Sequence, residues 1–273
     1  MATLEEALAD QDGARHIISF SGGKDSTALA VYMLEHYRDR LPLEFVFCDT
    51  GVELPETYAY IRRFEELFGV TVKKIDTLQM MGVREKQGRT PFDYVLHEVY
   101  GGFLPSPSAR WCTRALKIKP FEWYVGTDKA YTYIGIRADE QREGYKIRSA
   151  QGKPVVLSEK PNIIPVYPFK DLCMDLEDIK RLLEDSGLGF PPYYEWRTRS
   201  GCFFCFYQQI GEWQGLKERH PDLFERAKSY EKTENGVPYT WVQGRPLEKI
   251  EQLKRRYKVP SGEDLDGCVI CHL

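Results

Sequence analysis

The first 75 residues alternate between short apolar runs and longer stretches with one apolar helical face. The runs His16–Phe20 and Leu43–Cys48 predict buried strands, and Val70–Ile75 alternates like a third strand. Helices are predicted between them, one ending near His36 and one over Pro55–Phe68, with proline in its first turn. Strands separated by helices indicate an α/β fold with a doubly wound parallel sheet and right-handed crossovers.

The pattern weakens after the third strand and becomes helical from about residue 171, where helices are predicted over Leu176–Leu183 and Gly211–Lys232. Residues 77–120 are rich in Gly, Pro and Ser, which at this length is typical of a binding loop or lid. Tyr131–Ile136 predicts a fourth strand. We therefore predict a nucleotide-binding sheet domain over residues 1–170 and a helical, cysteine-bearing C-terminal region over residues 171–273.

Composition is that of an ordinary globular protein. The chain has 273 residues, 42% of them hydrophobic and 29% charged, so a core can form without disulfides. The net charge of −3 excludes a uniformly basic surface but allows a local basic groove. No apolar run approaches the roughly 18 residues of a membrane span, and the acidic N-terminus lacks the apolar core of a signal peptide. We expect a cytoplasmic protein that does not associate with a membrane.

A turn suited to binding phosphate follows the first predicted strand. It consists of Ser21, Gly22, Gly23, Lys24, Asp25 and Ser26. The two glycines allow a tight backbone turn, and the start of the next helix adds the positive end of its dipole. The spacing fits neither a Walker A loop nor the G-x-G-x-x-G pattern. The alternative interpretation is a tight strand-to-helix turn capped by serine.

The seven cysteines include two C-x-x-C pairs, Cys202 with Cys205 and Cys268 with Cys271. Disulfides are rare in a reducing cytosol, so this spacing indicates a metal or redox site. Four thiolates could be supplied by Cys112, Cys202 and Cys205 together with one or both of Cys268 and Cys271. Four thiolates suit either a structural zinc or an iron–sulfur cluster.

Residues 101–120 contain basic side chains and no acidic residue. The basic residues are Arg110, Arg114, Lys117 and Lys119. On an otherwise acidic chain this predicts an anionic substrate held near Cys112. A solvated basic loop is the alternative, and charge alone does not distinguish a polynucleotide from a small phosphosulfate.

These motifs resemble the PP-loop ATP pyrophosphatases, which cleave ATP between the α and β phosphates. SGGKDS is the signature turn of that superfamily. Four segments are similar to its phosphoadenosine phosphosulfate (PAPS) reductase-like branch: FCDTGVELPET (47–57), WCTR (111–114), GIRADE (135–140) and GCFFC (201–205). An ATP-type turn combined with these cysteines is most similar to the DNA phosphorothioation sulfurtransferases of the DndC/SspD type.

The resemblance implies an ATP-dependent sulfurtransferase that releases AMP and pyrophosphate. It would activate a DNA backbone oxygen for replacement by sulfur, in a system associated with phage defence. The implied cofactors are ATP, Mg²⁺ and a [4Fe–4S] cluster, with structural zinc as the alternative. The implied partners are DNA, a cysteine desulfurase as sulfur donor and other phosphorothioation-system proteins, and a homo-oligomer is left open.

The resemblance also implies roles for particular residues. The nucleotide would contact the SGGKDS turn together with Asp49, Thr50 and Gly135. The catalytic residues would be Lys24, Asp25, Arg137 and Cys271. The substrate would be bound by Arg110, Arg114, Lys117 and Arg142. The cluster would be held by Cys112, Cys202, Cys205 and Cys268. Cys271 is interpreted as a persulfide carrier, and a second metal ligand or an idle thiol is the alternative.

Three other functions are compatible with parts of the pattern. A PAPS or APS reductase would release sulfite without ATP, but true PAPS reductases usually lack the Lys24-Asp25 pair of an ATP-type turn. Thiolation of tRNA or of another nucleotide would use the same chemistry. A non-catalytic nucleotide-binding module would not need the clustered cysteines.

Overall fold

A five-stranded, all-parallel sheet with the order β3–β2–β1–β4–β5 forms the centre of the computed structural model. The structure describes residues 1–10, 13–83, 88–140, 158, 160–199, 201–234 and 237–254. The strands are β1 (Arg15–Ser19), β2 (Leu43–Cys48), β3 (Val72–Ile75), β4 (Ala130–Tyr133) and β5 (Ile163–Val166). A separate antiparallel hairpin is formed by β6 (Lys232–Glu234) and β7 (Val237–Tyr239). The predicted doubly wound α/β fold is confirmed.

Helices flank the sheet and build the C-terminal region. They are α1 (Leu4–Ala9), α2 (Lys24–Tyr37), α3 (Pro55–Phe68), α4 (Thr77–Met80), α5 (Pro91–Tyr94), α6 (Trp111–Thr113), α7 (Lys119–Val125), α8 (Pro168–Asp171), α9 (Leu176–Asp185), α10 (Ile210–Arg219), α11 (Pro221–Ser229) and α12 (Leu247–Glu251). A π-helical turn follows α5 at Val95–Val99, and another joins α6 to α7 at Arg114–Ile118. A 3₁₀ helix covers Pro192–Glu195. No helix in the described ranges is long and apolar enough to cross a bilayer.

The observed elements differ from the predicted ones in two places. Strand β5 was not predicted; it follows residues 141–157, which lie outside the described ranges, and pairs with β4. The single helix predicted over Gly211–Lys232 is two helices, because Pro221 has no N–H to continue α10 and instead begins α11. Lys232 begins strand β6.

The direction in which the sheet grows changes at β1. Strands β2 and β3 lie on one side of β1, and β4 and β5 lie on the other. Ligands bind at the carboxyl edge of open parallel sheets where the strand order reverses in this way. The predicted phosphate-binding turn leaves β1 at this position.

Two buried clusters support this edge. One packs the sheet against α2, α3 and α9, so helix α9 of the predicted C-terminal region contacts the sheet domain through Ile179 and Leu183. The other is rich in aromatic side chains and joins segment 92–116 to segment 193–250. The predicted boundary at residue 170 stays a prediction.

Candidate nucleotide and sulfur site

The turn between β1 and α2, here called the nucleotide turn (Ser21–Ser26), is held by its own polar groups. Gly22 has a φ of +71°, and a Cβ there would lie 3.0 Å from Cγ2 of Thr57 on α3. The Ser26 hydroxyl accepts a hydrogen bond from the Ser21 backbone N–H at 3.1 Å and donates one to the Gly23 carbonyl at 3.2 Å. Glycine is required at position 22 both for its backbone conformation and for space.

Three predicted catalytic residues, Lys24, Asp25 and Arg137, form one ion-paired group at the nucleotide turn. Lys24 Nζ lies 2.6 Å from one carboxylate oxygen of Asp25, and Arg137 Nη1 lies 3.0 Å from the other. Lys24 and Asp25 are fully buried, and Arg137 is 3% exposed. Burial lowers the pKa of Lys24, although the Asp25 carboxylate opposes this effect. Burial opposes a high pKa for Arg137, but the charge of Asp25 and the hydrogen bond to Asp139 raise it.

Gly135 places the end of β4 directly against this group. A Cβ at Gly135 would lie 2.7 Å from the backbone oxygen of Asp25, closer than two such atoms can approach. A side chain at this position would therefore displace the start of α2 or move Arg137 away from Asp25. This close backbone approach requires glycine at position 135, and the role of Gly135 in nucleotide binding stays a prediction.

The 3₁₀ helix Pro192–Glu195 covers the turn. The Tyr193 hydroxyl donates a hydrogen bond to the Gly22 carbonyl at 2.8 Å, and the ring of Tyr194 lies 5.5 Å from Lys24 Nζ. Burial raises the pKa of Tyr193 well above its ordinary value, so its hydroxyl stays protonated and donates. A phosphate that binds Lys24 must compete with Asp25 for its ammonium group.

The segment after β2 supplies a second polar network. Asp49 Oδ1 accepts hydrogen bonds from the Gly51 N–H at 2.8 Å and from the Tyr58 hydroxyl at 2.7 Å. Thr50 is buried and donates to Glu53 at 2.6 Å. Burial and the Asp49 charge raise the pKa of Glu53. Glu53 and Tyr58 were not predicted as site residues, although both belong to or adjoin the segment FCDTGVELPET.

The three described cysteines of the predicted cluster set line one cavity, here called the cysteine cavity. It encloses about 550 Å³, including space open to solvent. Its lining includes Thr50, Arg110, Cys112, Lys117, Cys202 and Cys205. The Thr50 hydroxyl lies 3.6 Å from Cys202 Sγ, and Glu53 forms an isolated backbone bridge with Cys202. Residues of the segment after β2, of α6 and of the loop Gly201–Cys205, here called the cysteine loop, are thereby brought together.

The cavity fits the chemistry of a metal–thiolate centre. Cysteine thiolates are the ligands that zinc and iron–sulfur clusters use in proteins. Among the residues that the structure describes, no group of three His, Cys, Asp or Glu side chains is already arranged around one metal position. The predicted fourth ligand, Cys268, and the alternative Cys271 lie outside the described ranges.

A smaller cavity of about 240 Å³, here called the connecting cavity, lies between the turn and the cysteines. Ser21 of the nucleotide turn, Glu53, and Gly201 of the cysteine loop are part of its lining. Lys117, which is 8% exposed, lines both this cavity and the cysteine cavity. The two cavities therefore share the Lys117 side chain as part of their lining.

The other predicted residues have different positions. Arg110 is exposed at the cysteine cavity, whereas Arg114 is exposed on the adjoining π-helical turn and is not part of the cavity lining. Arg142 lies outside the described ranges. Cys48 is buried, which raises the pKa of its thiol to about 12, and Cys173 is exposed.

A model of the phosphoadenosine phosphosulfate reductase domain matches residues 15–215, which is most of the chain. The chain belongs to this family. The matched segment runs from β1 through the nucleotide turn and the cysteine loop into α10. The match therefore includes both the nucleotide turn and the cysteine loop. Members of this family are enzymes.

The chain spans less than half the length of the curated relatives it matches. Two uncharacterised proteins of Methanocaldococcus jannaschii are 24% and 26% identical over 214 residues, covering 77% and 76% of this chain but 40% and 45% of the relatives. An uncharacterised nin region protein of Escherichia phage lambda is 32% identical over 147 residues, covering 46% of this chain and 49% of that protein.

Two solved structures are similar to the chain at TM-scores below 0.5. PAPS reductase from Candida auris in a phosphate complex has a TM-score of 0.45 at 16% identity, and the similarity covers 70% of this chain and 81% of that one. The U34-tRNA thiolase NcsA from Methanococcus maripaludis, solved with its [4Fe-4S] cluster, has a TM-score of 0.47 at 15% identity, and the similarity covers 94% of this chain and 87% of that one.

Proposed function

We propose that this chain is an ATP-dependent sulfurtransferase that adenylates an oxygen of a nucleic acid and exchanges that oxygen for sulfur. The acceptor favoured by the sequence resemblance is a DNA backbone phosphate. One observation carries the proposal: Lys117 lines both the cavity at the nucleotide turn and the cavity of the three cysteines. An activated phosphate and a sulfur source could thus meet without either leaving the site.

The turn and its neighbours would perform the activation step. Lys24 and Arg137 carry the positive charges needed to stabilise the departing pyrophosphate and the attacked α phosphate. Asp25 holds both cations in place, with one carboxylate oxygen on each. Asp25 and Asp49 are candidates to contact magnesium or the ribose. For magnesium the half-buried Asp49 is the better candidate, because both oxygens of Asp25 already bind cations. The acceptor oxygen attacks the α phosphate, and pyrophosphate leaves.

The cysteine side would perform the sulfur step. A metal–thiolate centre, when bound by Cys112, Cys202 and Cys205 with a fourth ligand, would supply either a site for sulfur or a rigid support. Lys117 lies where it would neutralise the phosphate between the two cavities. The terminal sulfur of a persulfide, supplied by a cysteine desulfurase, would then attack the activated phosphorus, and AMP would leave. A second thiol would cleave the resulting S–S bond, which leaves sulfur on the phosphorus and a disulfide that an added thiol reductant reduces. Cys271 is proposed as the carrier of that sulfur.

The test uses anaerobically purified protein with Mg²⁺, α-labelled ATP, cysteine and a cysteine desulfurase. DNA, tRNA and PAPS or APS are supplied in parallel. We expect labelled AMP with DNA, a phosphorothioate linkage after nuclease digestion, and no sulfite. If AMP forms with tRNA but not with DNA, the acceptor is tRNA. If sulfite is released without ATP cleavage, the protein is a reductase.

Two pairs of variants assign the two halves of the site. Lys24→Ala should reduce AMP release by about 100-fold or more, as expected when a charge that stabilises the transition state is removed, whereas Lys180→Ala on α9 should not. Cys202→Ser should lose the metal–thiolate absorption, and the exposed Cys173→Ser should keep it. Wild-type turnover in Lys24→Ala would show that the nucleotide turn is not the site of cleavage.

A further inference from the structure

A fully buried arginine, Arg197, lies directly beside the cysteine loop. Its side chain is 0% exposed, and it is among the largest side chains removed from solvent. Arginine keeps its positive charge in proteins, so burial does not neutralise it. A buried charge persists only where other groups compensate it.

Arg197 bonds the backbone of one loop cysteine directly and is linked to the other through Gln208. Its Nη2 donates to the Cys202 carbonyl at 3.2 Å and to Gln208 Oε1 at 3.1 Å. The same Gln208 oxygen accepts from the Cys205 backbone N–H at 3.3 Å, and the Gln208 N–H donates to the Cys205 carbonyl at 2.8 Å. Arg197 and Gln208 therefore form a clamp on both ends of the C-x-x-C segment.

Among the described residues, the clamp leaves two guanidinium nitrogens without hydrogen bonds, and the Arg197 Cζ lies 5.6 Å from the centre of the Trp196 ring. Within the described part of the chain, Nε and Nη1 of Arg197 are buried and make no hydrogen bond, and no carboxylate lies within 4.0 Å of its nitrogens. The buried Glu212 nearby in sequence is engaged by the Thr198 N–H and hydroxyl and by the Gln209 N–H. The protein surroundings described here do not supply the anion that Arg197 needs.

We propose that Arg197 is a positioning residue and the internal counter-charge of a metal–thiolate centre built on Cys112, Cys202 and Cys205. The inference rests on the metal centre of the proposed function. Such a centre has negatively charged thiolate ligands. Arg197 holds the backbone of one of them, Cys202, directly and that of Cys205 through Gln208. Neighbours that orient metal ligands typically contribute about 10- to 100-fold to metal affinity.

This role predicts opposite effects of one substitution in two states of the protein. With the metal bound, Arg197→Met removes a compensating charge and the clamp, so the unfolding temperature should fall. With the metal removed, the wild-type protein keeps an uncompensated buried cation, and an apolar residue of similar length is neutral or stabilising there. The unfolding temperature of metal-free Arg197→Met should therefore equal or exceed that of metal-free wild type.

The experiment compares wild type, Arg197→Met, Arg197→Lys and the control Arg219→Met, whose side chain is 48% exposed. Each full-length protein is loaded anaerobically with ferrous iron and sulfide, or with zinc alone, and part of it is stripped with a chelator. Metal loss to the chelator, the reduction potential of the iron–sulfur form, and thermal unfolding are measured.

We expect Arg197→Met to lose metal to the chelator at least about tenfold faster than wild type and to have a more negative reduction potential. Its unfolding temperature should be lower than that of wild type with the metal bound, and equal or higher with the metal removed. Arg197→Lys should keep the potential closer to wild type while losing metal faster, and Arg219→Met should match wild type. Equal destabilisation of Arg197→Met in both states, with unchanged metal loss and potential, would make Arg197 a structural residue and overturn the inference.

The remaining outcomes separate this inference from the proposed function. If wild type binds neither iron nor zinc through Cys202, the counter-charge role is wrong, while labelled AMP still decides whether ATP is cleaved. If the metal results are as expected but no AMP forms, the role of Arg197 stands and the sulfurtransferase proposal fails.

Discussion

At the scale of single residues, the charge balance around Asp25 is the feature most exposed to test. One buried carboxylate binds two buried cations, Lys24 and Arg137. Asp25→Asn removes the carboxylate that binds Lys24 and Arg137, and removing one partner of a buried pair destabilises by about 3–5 kcal/mol. Denaturant unfolding should show a loss of this size, whereas Asp178→Asn, which breaks an exposed pair with Arg181, should change stability by less than about 1 kcal/mol. A small effect of Asp25→Asn would contradict the buried ion-pair network.

A second residue-scale prediction concerns pH. His16 on β1 is buried between the rings of Tyr131 and Tyr133, and burial lowers its pKa from the ordinary value of 6.5. Below pH 6.5 the unfolded chain therefore binds a proton that the folded chain does not. Stability should fall with decreasing pH by up to about 1.4 kcal/mol per pH unit, until the folded-state pKa is reached.

The measurement is the free energy of unfolding between pH 7 and pH 5, in wild type and in His16→Phe. The variant lacks the titrating group, so its stability should decline less steeply over this interval. Parallel curves for the two proteins would show that His16 is charged in the folded state.

At the scale of elements, the 3₁₀ helix Pro192–Glu195 links the two halves of the site. It contacts the nucleotide turn through Tyr193 and leads within two residues to Arg197 at the cysteine loop. Tyr193→Phe leaves the Gly22 carbonyl without this donor, which should cost about 1–3 kcal/mol of stability and raise the KM for ATP.

Tyr124→Phe provides the matched control, because Tyr124 donates a hydrogen bond of 2.7 Å to Glu44 away from the site. Both variants should lose stability in thermal unfolding. Only Tyr193→Phe should change the KM for ATP in the labelled-AMP assay. An equal KM in both variants would mean that the 3₁₀ helix covers the turn without affecting nucleotide binding.

At the scale of the whole molecule, an acidic chain presents its basic segment at the mouth of the cysteine cavity. The net charge is −3, yet Arg110 and Arg114 are exposed on a segment without acidic residues. If both bind phosphates of duplex DNA, the double variant Arg110→Gln/Arg114→Gln should make the slope of log K against log salt shallower by about 1.8. The control Lys180→Gln/Arg181→Gln on α9 should keep the wild-type slope. An unchanged slope in the first variant would remove these arginines from the binding surface.

The local elements of the nucleotide-binding half could be predicted from the sequence. Apolar runs and helical periodicity are local signals, so β2 and α3 were predicted with the bounds that the structure shows. Predictions from local patterns were incomplete where strand pairing or a helix-breaking proline determined the structure. Strand β5 depends on pairing with β4, and Pro221 divides an otherwise continuous helical pattern.

By itself the sequence determined the α/β fold, the turn after β1 and the family, because these depend on residues close together in the chain. Only the tertiary structure decided which distant residues meet. The parallel order β3–β2–β1–β4–β5 brings Asp25 to Arg137. Packing of the aromatic-rich cluster brings Thr50 to Cys202. The burial of Arg197 without a carboxylate among the described residues has no signature in the sequence, because burial depends on packing between segments far apart along the chain.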